Sequence, residues 1–129
     1  EEVLKRKQED EAEAVESFDL HVTERTFADL FVYALVAIGK DNEYSDWLDD
    51  YYMRCKQAQT QYARVFFLTG GHFAPVDDGV RAINRHYSWM VDAAMTEYTN
   101  RMTDIGYTLI TTPHIHTRVD IVTQSLQQL

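Results

Sequence analysis

Residues 45–71 read SDWLDDYYMRCKQAQTQYARVFFLTGG, and the fold turns on how that stretch is organised. Trp47, Leu48, Tyr51, Cys55, Ala58, Tyr62, Val65 and Phe66 recur at helical spacing on one face. Ser45 stands where an N-cap belongs, and Asp46, Asp49 and Asp50 lie favourably against the positive end of a helix dipole. Gly70–Gly71 closes the run. At ~1.5 Å rise per residue this predicts a helix roughly 36 Å long.

Towards the C terminus, the loop His72–Val76 and a cap at Asp77 or Asp78 lead into a second long stripe. Val80, Ile83, Tyr87, Met90, Ala94, Tyr98, Met102 and Ile105 carry it, and Gly106 stops it. The segment Tyr107–Ile110 is short and β-branched enough to be extended. Thr112–Pro113 reads as N-cap and first position of a last helix bearing Ile115, Val119, Val122, Leu126 and Leu129. The alternation Ile115, Thr117, Val119, Ile121 leaves a strand open for the first half of that segment.

Towards the N terminus, Thr23 is the expected cap of a helix with Phe27, Leu30, Phe31, Leu35 and Ile38 on its apolar face, Val22 stapling against Phe27. Gly39 falls where a left-handed residue ends a helix. Residues 1–17 are nearly all charge and Ala, which predicts a solvated helix or linker unless a partner helix covers Leu4 and Val15. The chain opens on Glu1, as expected of a piece of a longer protein. Residues 18–129 are then a single domain. The predicted class is all-α: four to five helices in a globin-like or bundle arrangement, two of them too long for an α/β domain of this size.

Composition narrows the function. Twelve Lys+Arg against 21 Asp+Glu leave a net charge of −9, the wrong sign for counterion-release binding to phosphate backbones, so no direct nucleic-acid contact is expected. The same charge also admits an acidic decoy that mimics nucleic acid. A lone Cys55, no apolar run of 18 residues and no signal segment point to a cytoplasmic protein with no membrane contact. There is no Glu-x-x-His for a di-iron bundle. His21, His72, His86, His114 and His116 fall mostly in loops or at helix ends, where a surface histidine is commoner than a ligand, although haem ligation by His86 stays open. His114-Ile-His116 converges on a metal only from a strand. Cys55 lies between Arg54 and Lys56 with no histidine close in sequence, the setting of core filler more than of a nucleophile. Gly70–Gly71 follows a helix rather than opening one, so it cradles no phosphate. No enzyme and no cofactor is expected.

The unusual feature is an aromatic and thioether load of eight Tyr, two Trp, six Phe and four Met. Such side chains make an ordinary core with hydroxyls turned to solvent, or a cleft for a flat apolar ligand lined by Trp47, Tyr51, Tyr62, Phe66, His86, Trp89, Met90 and Tyr98.

Tyr44-Ser45-Asp46-Trp47 opening a helix, the Gly70–Gly71 stop, Pro75 with Asp77-Asp78-Gly79-Val80, and Arg85-His86-Tyr87-Ser88-Trp89 follow one another across about a third of the chain. In this order they resemble the TipAS-type effector domain, the antibiotic-binding all-α module at the C terminus of some MerR-family transcription regulators. The resemblance implies a globin-like fold around a cleft for large aromatic or heterocyclic antibiotics, with Trp47, Tyr51, His86 and Trp89 at its border. It also implies a DNA-binding domain in the same full-length chain, joined through a dimerising helix that residues 1–15 would end. The expectation is thus a non-enzymatic effector domain at residues 18–129 that senses a hydrophobic, drug-like compound, as a homodimer. The alternative is a helical protein-interaction or dimerisation domain whose aromatics form a flat patch.

Overall fold

A computed structural model describes residues 2–69 and 84–129. It is mostly helical. In chain order the elements are α1 (Glu2–Ser17), α2 (Phe27–Ile38), a 3-10 turn (Asn42–Tyr44), α3 (Ser45–Gln59), β1 (Phe66–Leu68), α4 (Arg85–Met102), β2 (Thr108–Ile110) and α5 (Ile115–Leu126). The chain forms two compact units, Glu1–Gln61 and Tyr62–Leu129.

In the first unit α2 packs on α3. Phe31 meets Tyr52 edge to face at 5.3 Å between centroids and lies 6.3 Å from Tyr51. Phe27, Ala28, Val32, Leu48 and Cys55 are buried with them. Each large apolar side chain removed from water contributes about 1.5–3 kcal/mol, and this cluster is the main hydrophobic store of the unit. The N terminus of α2 differs from the expected one. Thr26, not Thr23, is the cap residue; its backbone N–H donates to the Asp29 carboxylate at 3.0 Å. Val22 is 73% exposed and staples nothing. Two further backbone donors, of Phe27 and Ala28, are buried, and both are accepted by the side-chain oxygen of Gln59 at 3.0 and 3.3 Å. A residue at the end of α3 therefore completes the cap of α2.

At the other end, Gly39 is not left-handed; its φ is −64°. Its lack of a side chain has another cause, since a Cβ there would collide with the Leu35 carbonyl oxygen and Cδ1. The charged first helix belongs to this unit and is covered in part. Leu4 is fully buried and Glu11 nearly so, while Val15 is exposed. Lys7 pairs with Glu11 at 2.5 Å, donates to Thr23 Oγ1 at 3.3 Å and stands 5.3 Å over the Phe27 ring; Gln61 donates to the other Glu11 oxygen.

The two long helices are shorter than expected. α3 stops at Gln59, and residues 66–68 form a strand where helix was predicted. Val65-Phe66-Phe67-Leu68 is continuously apolar, a pattern that suits a strand in contact on both faces better than a one-sided helix. The partner is the segment predicted to be extended: β1 and β2 run parallel with Phe66 opposite Thr108 and Leu68 opposite Ile110. α4 begins at Arg85 and ends at Met102, short of Ile105, which is exposed. Asn84 caps it by accepting from the backbone of His86 and Tyr87, and Gly106, at φ +78°, turns the chain into β2. The Gly70–Gly71 stop, the loop at residues 72–76, the cap at Asp77 or Asp78, and Val80 and Ile83 lie outside the described residues. The last segment is helix rather than strand, but its cap is His114 and its first residue Ile115, each two residues later than Thr112–Pro113 suggested. Pro113 precedes the cap instead of opening the helix.

Candidate functional site

Local spacing brings the expected site residues together in two places. On α3, Trp47 and Tyr51 are one turn apart and stack, with centroids at 4.8 Å and planes 21° apart. Tyr51 is buried and Trp47 half-buried, so the pair is a plate with one ring held in the core. The stack stays within the first unit.

On α4, His86 and Trp89 are three residues apart and meet edge to face at 5.3 Å. Arg85, one full turn before Trp89, lays its guanidinium 5.8 Å over the indole. Among the described residues nothing covers the group: Trp89 is 58% and Met90 51% exposed, and Arg85, His86 and Tyr87 are exposed too. Tyr98 and, on β1, Phe66 are half-buried, as is Tyr62 at the start of the second unit. Phe67, not Phe66, has the aromatic neighbour, Tyr107, at 6.1 Å.

Sequence reading did not single out Arg85 as a site residue, although its i, i+4 relation to Trp89 was the available signal. It also passed over Gln59, whose role needs a partner 32 residues away.

Two open grooves of about 290 and 360 Å³ lie in the first unit. Val3, Arg6, Lys7, Asp10, Glu11, His21 and Thr23 line one; Gln8, Arg54, Gln57, Ala58 and Gln61 line the other. Neither is lined by any of the eight expected aromatic, His and Met residues. The first is bordered by His21, whose Nε2 is buried and has no hydrogen-bond partner.

Burial pushes the Cys55 thiol up to about 11, against weaker opposing effects of a Tyr51 hydrogen bond and the Arg54 charge, so it is a protonated core residue at neutral pH. Burial likewise raises Asp29 from its ordinary value although the Thr26 N–H favours its charged form. His114 and His116 sit at the cap and second residue of α5, both exposed. Among the described residues no three His, Cys, Asp or Glu side chains are placed to hold a metal ion. No described helix is long and apolar enough to cross a membrane. Compared with known protein families, curated proteins and solved structures, the chain matches none.

Proposed function

We propose that the chain is a non-enzymatic binding domain whose contact surface is the first two turns of α4. The observation that carries this reading is the exposed indole of Trp89, held between the Arg85 guanidinium and the His86 ring with Met90 beside it. Aromatic, Met and Arg side chains are the ones enriched in protein interfaces, and an indole fixed by two neighbours loses little entropy on docking. A helix surface is convex, which suits a protein partner better than a small molecule, whose sites are concave. The test is a photocrosslinking amino acid placed at Met90 in the producing cell, with Thr96, on a different face of α4, as control. The expected result is a protein adduct from position 90 alone. Equal or absent crosslinking at the two positions refutes the reading.

A second reading, an effector domain that senses a flat aromatic compound for an attached DNA-binding domain, is favoured by the Trp47–Tyr51 stack, onto which a planar ligand would add a further layer. Its test is Trp47 fluorescence and thermal melting against antibiotics and aromatic dyes, in a Trp89→Phe background. Quenching with a melting temperature that rises with the logarithm of ligand concentration supports it; a flat panel ends it.

A further inference from the structure

The face on α4 has a counterpart in the same sequence. Along α1 the charges are segregated: Lys5, Arg6 and Lys7 come early, and no basic residue follows, leaving the last turn without one. Glu13 and Glu16, three residues apart, are exposed, and among the described residues neither has an ion pair or hydrogen bond. Beside them the chain leaves the helix through Val15, Phe18 and Leu20, which are 61, 67 and 55% exposed. That is an acidic surface with an apolar edge. The start of α4 is the reverse, Arg85 and His86 with no acid in the first turn and an apolar edge of Trp89 and Met90. Each face exposes apolar area, and the charge at its edge, Glu13 and Glu16 on one and Arg85 on the other, is opposite in sign, with Asp92 two turns beyond Arg85.

From this complementarity we infer that the occupant of the α4 face is the α1 end of a second copy of this chain. The inference rests on the reading of α4 as the contact surface and names its partner. Two copies related by a two-fold axis make the contact twice and close into a dimer, whereas one-way repetition builds longer assemblies. Charge supplies the orientation, since acidic against acidic or basic against basic is penalised, and the apolar edges supply the buried area.

Sedimentation velocity on the full chain, up to about 100 μM, tests the pairing, a range that captures weak self-association. Wild type is expected to associate with rising concentration. Arg85→Glu alone, and Glu13→Lys with Glu16→Lys, are each expected to weaken association at least about tenfold, because each sets like charges face to face. All three positions are exposed, and unchanged far-UV circular dichroism confirms that the variants fold; His86→Glu replaces Arg85→Glu if it does not. The discriminating step is an equimolar mixture of the two variants. The intact acidic end of one then meets the intact basic face of the other, and the reversed pair also has opposite signs, so association returns. A wild type that stays monomeric, variants that associate like wild type, or a mixture that stays dissociated each overturns the pairing. A monomeric wild type whose Met90 crosslinks to a protein of other mass overturns the second copy alone and leaves the contact surface standing. A monomer with no Met90 adduct overturns both.

Discussion

Gln59→Ala removes one side chain from the end of α3 and is expected to damage the beginning of α2. Gln59 is 2% exposed, and its Oε1 is the acceptor for the backbone N–H groups of Phe27 and Ala28, two residues with no solvent exposure. A buried donor that loses its partner costs about 1–3 kcal/mol, and the two donors share one acceptor oxygen, so the expected loss is about 2–4 kcal/mol. With a urea slope of about 2 kcal/mol per molar, the midpoint for the first unit falls by roughly 1–2 M. A Trp89→Phe background leaves Trp47, stacked on Tyr51 in the first unit, as the fluorescent reporter of that transition. Amide hydrogen exchange gives the local readout: Phe27 and Ala28 should lose protection in the variant before the middle of α3 does. A midpoint within about 0.3 M of wild type with both amides still protected would refute the reasoning, because it would mean that another group satisfies them.

Two further outcomes follow from side-chain burial. The Cys55 thiol, raised from 9.0 to about 11, has roughly a hundredfold less thiolate at pH 8 than an unperturbed cysteine, so a disulfide reagent should modify native protein at least that much more slowly than urea-unfolded protein; equal rates would contradict its placement in the core. Asp29 has a folded-state pKa raised by burial, so the folded chain binds a proton more readily than the unfolded one. Its contribution is greatest below the ordinary 3.8 and is lost as pH rises through the raised value; the wild-type urea midpoint should fall through that window relative to Asp29→Asn, which keeps an acceptor for the Thr26 N–H. Parallel pH profiles for the two proteins would count against it.

The helical class was legible because it is written in local periodicity: Phe27 and Phe31, or Trp47 and Tyr51, fall on one face whatever else the chain does. What was not legible depends on partners far along the chain. Tyr62, Val65 and Phe66 continue the α3 spacing, and only pairing with residues 108–110 reveals that the helix has already ended. The cap of α2 was misplaced by three residues because Thr23 and Thr26 are both good cap residues, and the choice is made by Asp29 and by Gln59 from another helix. For the candidate site, spacing correctly put His86 beside Trp89 but said nothing about which side of α4 faces water. Tyr87 and Met90 fall on the apolar stripe, yet both are exposed, since periodicity gives a face and not its direction.

The parallel pairing of β1 with β2 also sets an order of events for the nascent chain. Phe66 and Thr108 are partners across some forty residues, and closing a loop of that length costs about 3 kcal/mol of chain entropy. Three residue pairs offset little more than that, at about 0.5–1.5 kcal/mol per hydrogen bond, so the ladder depends on burying Val65, just before β1, and Ile110, in its last pair. During synthesis β1 leaves the ribosome long before β2 exists, with both edges bare and with the sequence Val65-Phe66-Phe67-Leu68 as its surface. Until Ile110 emerges, that tetrapeptide lacks its strand partner, and a truncation between the two strands would leave it so permanently.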